Sequence, residues 1–539
     1  MVAITKSGLG TFVLGGLLAL AHTLFSAAPS HAVGQVTAFK QAVAEAAAKD
    51  RDLAAYYREN NYQPLWTGAS RTEQRRRAAL FDAIAAADDH GLPAERYDAQ
   101  GLLQQLQSVR SPRDRGLAEV ALSRVFLSLA RDMQTGVLVP ARVDNDIKRQ
   151  VPYRDRKSYL TGFEQSTPAG FFRALPPKTN EYSRLMKEKL RLERVLAQAG
   201  WGPKVPADAL KPGQSGAAVV SMRNRLMAMG FMPRSSTSSY DTQMLQAVQR
   251  FQLAHGLAPD GVAGAGTMAE INTPVADRLK SIIVAMERER WMNKPKGQRH
   301  IMVNLTDFHA RIFDNDVVTF ETRAVIGKND GDRRSPEFSD EMDHMVINPT
   351  WHVPRSIAVK EYLPQMKRNR NAVGHLKLYD RRGRQVSRSS INFNAYNASN
   401  FPFAIKQPPS QRNALGLVKF MFPNKYNIYL HDTPAKNLFE RETRAYSHGC
   451  IRLHKPFDFA YELLAKQESD PKGFFHSTLN TGRETRVNMV QPVPVHIQYR
   501  TAFTRAKGPV QYRRDVYGRD GRIWNALEKA GVSLRAHQG

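Results

Sequence analysis

Near residue 298 the spacing of apolar residues changes from steps of three and four to steps of two, which restricts the chain to a fold with a helical half and a sheet half. Before the switch, AFKQAVAEAAAKDRDLAAYYREN, RTEQRRRAALFDAIAAADDHGL, LAEVALSRVFLSLARDMQTGVL and NEYSRLMKEKLRLERVLAQAGW each carry one apolar stripe at helical spacing. After it, RHIMVNLTDFHARIFDNDVVTFETRAVIG, HMVINPTWHVP, NKYNIYLHDT and PVPVHIQYRTAF alternate or run apolar in short stretches broken by Asn-Asp and Gly, which predicts antiparallel strands. At 539 residues the chain should hold about three to four domains. The expected class is multidomain α+β.

Composition shifts place the boundaries. Residues 1–32 read as an export signal: Lys6, an apolar run, then Ser30-His31-Ala32 as a small-x-small cleavage site. An uncleaved membrane anchor is the other reading of that run. A helical domain over 33–205 follows, then the Pro/Gly-rich join WGPKVPADALKPGQSG and a compact three-helix unit over 206–275. A connecting helix (276–298) leads to a β-domain (299–500), and 501–539 form a C-terminal tail with one strand and one helix. Between about 355 and 407 a long polar, basic insertion interrupts the strands, as a lid or a disordered stretch does. Asp88, Asp89 and His90 precede Gly91-Leu92-Pro93 and are expected to cap a helix end rather than bind metal.

Lys and Arg number 78 against 50 Asp and Glu, a formal charge of +28. The basic residues are dispersed, with no zinc-finger spacing or aromatic RNA-recognition signature, so nucleic acid is not the expected partner. An exported basic protein meets anionic envelope polymers instead.

One cysteine, Cys450, excludes intramolecular disulfides and multi-thiolate zinc sites, and no cofactor or metal is expected. It lies in Ser447-His448-Gly449-Cys450-Ile451-Arg452, 19 residues after His431. A thiol attacks as its thiolate, so an imidazole must take its proton. His431, at a strand end, is assigned as general base, and His448, in the turn of the thiol, as a supporting residue. Gly449 lets the backbone turn so that its own amide and that of Cys450 point at a developing oxyanion. Asp432 has two readings: it orients His431 through a side-chain or carbonyl oxygen, or it is a turn residue before Thr433-Pro434.

Two resemblances cover most of the chain. LKPGQSGAAVVSMRNRLMAMGF with AVQRFQLAHGLAPDGVAGAGT resembles the peptidoglycan-binding three-helix module, chiefly at Val248, Phe251, Gln252, Gly256, Leu257, Asp260, Gly261 and Thr267. It implies contact with glycan or stem peptide; a spacer that keeps the fold without a ligand is the alternative. His431, fifteen residues, then SHGC, Ile451 and Arg452 resembles the L,D-transpeptidase family with the YkuD-like catalytic domain. INPTWHVP and NALGLVKFMFPNKYNIYLHDTP fit its larger envelope subgroup.

That resemblance implies a periplasmic enzyme of cell-wall biogenesis and cell shape. Its Cys450 thioester would pass a tetrapeptide stem to an acceptor amine, giving 3-3 cross-links between peptidoglycan stem peptides. A stem peptide, an outer-membrane protein or a free D-amino acid would each fit as acceptor, and carbapenems would inhibit covalently. Tyr429 would line the oxyanion or donor pocket, Trp351 a pocket wall, and Arg452 would hold a substrate carboxylate. Read without the resemblance, Tyr429 and Trp351 are sheet core and Arg452 a surface ion pair. The insertion would cap the site and exclude water. An L,D-carboxypeptidase or endopeptidase would need the same thiol and base, and a non-catalytic wall-binding protein would need neither.

Overall fold

In a computed structural model the fold is described over residues 32–535. The expected export signal or anchor lies almost wholly outside the described residues, and among these no helix is long and apolar enough to cross a membrane.

The helical domain forms around the Pro112–Thr135 helix. Ser111 starts this helix with a capping box, its hydroxyl accepting from the Asp114 amide while the Asp114 carboxylate accepts from the Ser111 amide. One face buries Leu122, Phe126 and Leu129 against Trp66, Phe163 and Phe172. Glu119, on the same helix, is fully buried and accepts from the amides of Leu65, Trp66 and Thr67 and from the Tyr57 hydroxyl. These bonds fix the NYQPLWTG break that interrupts the helices. The Asp88 segment does follow a helix end, after Arg71–Ala85, but Asp88 does not cap it. Its carboxylate is buried and pairs with Lys189 at 3.7 Å and Arg535 at 2.9 Å, because a buried charge needs a counter-charge.

The three-helix unit comprises Ala217–Ala228, Thr242–Ala254 and Ala265–Ile271, around Val219, Met222, Val248 and Phe251. Gln252 ties its last turn down, donating to Asp260 at 2.7 Å and accepting from the Gly261 amide at 2.9 Å. The connecting helix Val275–Trp291 then packs on the Asn180–Ala197 helix and on a C-terminal helix, Arg519–Lys529. The segment after 500, expected as a tail, is therefore part of a shared core that includes Ile282, Ile283, Trp524 and Leu527. It begins with a two-stranded hairpin, Ala502–Phe503 with Gln511–Tyr512, where one strand was expected.

The β-domain strands are, in order, β1 (Arg299–Asn304), β2 (His309–Asp314), β3 (Val317–Gly327), β4 (Phe338–Ile347), β5 (Trp351–His352), β6 (Lys377–Tyr379), β7 (Gln385–Val386), β8 (Ala404–Gln407), β9 (Val418–Met421), β10 (Leu430–His431), β11 (Ala445–Ser447), β12 (Ile451–Leu453) and β13 (Thr485–Gln498). The main sheet runs β11-β3-β12-β10-β9-β4-β13-β1-β2, and a further β2–β3 pairing closes it into a barrel-like ring. Val303, Ile312, Met345, Phe420 and Leu430 fill its interior. The antiparallel expectation fails at three pairings, β1 with β13, β3 with β11 and β10 with β12, which are parallel. Parallel neighbours need a crossover, and alternation within one strand does not reveal its partner's direction.

The insertion is a folded subdomain. Strands β5, β8, β6 and β7 make a second sheet, and a helical segment over 355–368 packs on it around Leu363, Met366, Leu378, Phe393 and Ile405. Buried Asn413 donates to the carbonyls of Pro349, Gln407 and Pro408, closing the base of this cap.

Candidate active site

The parallel β10–β12 pair sets the site. Leu430 lies opposite Ile451 and His431 opposite Arg452, and the Ile451 amide donates to the Tyr429 carbonyl at 3.1 Å. Side chains alternate along a strand, so Leu430 and Ile451 enter the barrel core while Tyr429, His431, Cys450 and Arg452 share the other face. Residues 19 apart in sequence thus become neighbours through two short strands.

A hydrogen-bond relay reaches the sulfur. The Trp351 indole donates to the Tyr429 hydroxyl, and that hydroxyl and the Tyr429 amide both interact with Cys450. Burial holds the Tyr429 phenol well above its ordinary value, so it stays protonated and able to donate. Trp351 is buried in the cap core, and half-buried Tyr429 packs against it. The thiol donates to the Asn427 carbonyl at 3.4 Å. Burial pushes Cys450 up to about 11, outweighing the Tyr429 bonds and the Arg452 charge that pull it down. At neutral pH the sulfur is a thiol.

His431 is buried, and its Nδ1–H donates to the backbone carbonyl of Asp432 at 2.5 Å. A carbonyl only accepts, so a proton on Nδ1 satisfies this bond and leaves Nε2 as the basic nitrogen, while the Leu415 carbonyl, like that of Asp432, favours the protonated ring. Burial first, then the Arg452 and Lys419 charges, lower His431 to about 3. The Tyr429 and His431 rings meet edge to face at 5.6 Å. Asp432 resolves into both its readings: the carbonyl orients the base, while the carboxylate holds the Leu417 amide, the Thr433 amide and Lys436. Arg452 is no surface ion pair: it is half-buried, and among the described residues its Nε has no hydrogen-bond partner.

The Ser447–Cys450 turn departs from expectation in two ways. The Gly449 amide is not turned inward but donates to the Ser447 hydroxyl at 3.1 Å, and that hydroxyl donates to the Cys450 carbonyl at 2.5 Å. A serine two residues back competes for the amide, which glycine's freedom alone does not foretell. His448 turns away from the thiol, with Nε2 2.7 Å from Glu361 on the cap. Glu361 also accepts from Arg333 at 2.8 Å, so one carboxylate ties the cap to the turn.

Gly449 has φ +111, and a Cβ there would stand 3.2 Å from Ile428 Cδ1. Gly449→Ala is therefore expected to cost about 1–3 kcal/mol of local strain and to lower Cys450 acylation about tenfold or more. Acylation kinetics by intact mass, with a melting curve, would check it; an unchanged rate would contradict it.

Sequence reasoning missed Glu361, Asn427 and Ser335, whose hydroxyl donates to the Gly449 carbonyl at 2.6 Å. Only Asn427 left a signal, as the turn residue in NKYN, and it takes a positive φ of 55. Among the described residues no group of three or more His, Cys, Asp or Glu could hold a metal ion.

Comparison with known proteins agrees with this geometry. Residues 298–478 match the family described as "L,D-transpeptidase catalytic domain" (YkuD), residues 51–188 a "Scaffold domain", and residues 215–271 a "Putative peptidoglycan binding domain". A curated relative from Haemophilus influenzae named "Putative L,D-transpeptidase" is 29% identical over 254 residues, 46% of this chain and 51% of its own length. The chain thus spans about half the length of that relative. A solved L,D-transpeptidase fragment from Xylanimonas cellulosilytica, 14% identical, aligns with 55% of this chain and 98% of its own at a TM-score of 0.16, too slight a likeness to bear on the fold. Cys450 and His431 lie inside the span that matches the YkuD L,D-transpeptidase catalytic domain, which follows segments that match a scaffold domain and a peptidoglycan-binding domain.

Proposed function

We propose that the protein is a peptidoglycan L,D-transpeptidase that forms 3-3 cross-links through a Cys450 thioester. The observation that carries this reading is the shared face of β10 and β12, where a thiol, a tautomer-fixed imidazole, a protonated phenol and an unpartnered guanidinium Nε lie together. Cys450 Sγ attacks the carbonyl after the meso-diaminopimelate of a donor tetrapeptide while His431 Nε2 accepts the thiol proton. The C–N bond breaks, D-alanine leaves with that proton, and a thioester remains. An acceptor amine then attacks, gives its proton to His431, and the sulfur is released and reprotonated. Tyr429 donates to the oxyanion in both steps.

With the thiol near 11 and the imidazole near 3, attack and proton transfer must occur together rather than from a resting ion pair. A substrate carboxylate on Arg452 would neutralise the charge that weakens His431 and so strengthen the base on binding. The alkylation rate of the free enzyme by iodoacetamide is accordingly expected to rise about tenfold per pH unit from 7 to 10 without a plateau. A rate flat between pH 6 and 8 would mean a preformed thiolate and contradict this.

The envelope location follows from the polymer acted on and from the signal read at residues 1–32. Incubation with defined tetrapeptide muropeptides, with and without an acceptor amine, tests the function. New 3-3 dimers support transfer, shortened monomers alone mean a hydrolase, and failure of a carbapenem to acylate Cys450 would favour a non-catalytic wall-binding protein. Supplying an outer-membrane protein or a free D-amino acid as acceptor extends the same assay.

A further inference from the structure

Three neighbouring strands carry a row of charge across the face that holds the thiol. Arg452 on β12 lies opposite His431 on β10, and His431 lies opposite Lys419 on β9. Val418 and Phe420, on either side of Lys419, fill the barrel interior, so alternation turns Lys419 to the face of His431 and Cys450. The imidazole thus stands between two cations, and both weaken it as a base. Arg452 follows Cys450 along β12, on the thiol's side of the ring; Lys419 is on the far side.

No internal contact accounts for Lys419. It is half-buried, and among the described residues its ammonium has neither a hydrogen-bond nor an ion-pair partner. Burial lowers its pKa, and the carboxylate that pulls the other way, exposed Glu484, stands beyond ion-pair distance. On the cap, His352 feels Lys406, its partner on β8, and Lys419 more strongly than it feels Glu484, so this rim is positive on balance. An unmatched ammonium out of water is unfavourable in itself, and beside a general base it also lowers basicity. A substrate carboxylate would relieve both.

The acceptor carries one in the right place. In a 3-3 cross-link the attacking amine and a free carboxylate sit on the same carbon of the acceptor's diaminopimelate. The group that takes the amine's proton and the group that holds this carboxylate must therefore be immediate neighbours. Directly opposed residues on adjacent strands are about 4.5–5.5 Å apart at Cα, which meets that condition for His431 and Lys419. The donor, joined to Cys450, occupies the other end of the row.

We propose that Lys419 is the acceptor-specificity residue: its ammonium binds the carboxylate beside the attacking amine, so the enzyme selects amines of the α-amino-acid class over simple alkyl amines. This role rests on the transpeptidase reading and adds to it the chemistry an acceptor must carry. Pairing with the carboxylate also neutralises a charge that weakens His431, so the base strengthens as the acceptor arrives.

The test uses the full chain, a tetrapeptide donor and two tripeptide acceptors. One ends in meso-diaminopimelate and the other in L-lysine, which presents a similar amine without the carboxylate. The parent is expected to use the diaminopimelate acceptor at least about tenfold better in kcat/KM, the size of one charge-assisted contact. Lys419→Met should lower that value about tenfold, mainly through the acceptor KM, and lower the lysine acceptor's by less than about threefold. Lys419→Gln, which keeps a polar side chain on the strand, should show the same collapse of selectivity, and Lys419→Arg should restore most of it. A structural role, or a change in His431 alone, would move both acceptors together. Equal use of the two acceptors by the parent, or equal losses for both in the Met and Gln variants, overturns the proposal. Dimers formed with selectivity unchanged in those variants overturn it alone; a parent that only shortens the donor overturns the transpeptidase reading and this role with it.

Discussion

Cys450→Ser is expected to lower 3-3 dimer formation by about 10⁴-fold or more while leaving the fold intact. A hydroxyl is a far weaker acid than a thiol, and His431, held near 3 by burial and by two cations, is too weak a base to compensate. On the proposed mechanism the thiol needs proton transfer in step with attack, so raising the nucleophile's pKa acts directly on the barrier. The structural cost is small, because the polar contacts of Cys450 Sγ, to the Asn427 carbonyl at 3.4 Å and with the Tyr429 hydroxyl and amide, are ones a serine hydroxyl can also make. Mass spectrometry of muropeptide products, with melting curves as control, gives the answer. Activity within tenfold of the parent would show that the acyl group does not pass through this sulfur.

Glu337→Gln should produce the largest loss of stability from a single charge. Glu337 is buried and accepts from Arg288 at 2.6 Å and Arg519 at 3.2 Å; Arg288 also pairs with Asp520 at 2.8 Å. These residues sit on the connecting helix, the strand leading into β4, and the C-terminal helix, so one cluster fastens three parts of the chain. Removing one partner of a buried ionic group costs about 3–5 kcal/mol, since the remaining charge stays out of water. Arg519 is fully buried and its other carboxylates, Asp144 at 3.8 Å and Asp146 at 3.6 Å, are more distant. Calorimetry should show the transition that includes the β-domain moving down, with the three-helix unit less affected. A shift worth under about 1 kcal/mol would mean that water or a side-chain rearrangement satisfies the arginines.

Residues close in sequence made the candidate site legible. SHGC, the fifteen-residue gap back to His431 and the two strands beneath them are local features, and the family resemblance follows from them alone. The supporting groups come from afar. Trp351 reaches the thiol through Tyr429, Glu361 reaches His448 across 87 residues, and Ser335 reaches Gly449 across 114. No periodicity encodes such contacts. The orientation of His431 was legible only as two alternatives, because the deciding acceptor is a backbone carbonyl, which every residue has. The insertion looked like loop because its strands are two to four residues long, too short for alternation to register.

The strands on either side of that insertion, β4 and β9, are hydrogen-bonded antiparallel neighbours. The detour therefore departs and returns at one place on the barrel wall, where a tight turn would suffice. Such an arrangement allows the whole detour to be exchanged without redesigning the barrel. The exchange has one built-in constraint: whatever replaces it must still present a donor to Tyr429, because Trp351 would leave with the piece removed.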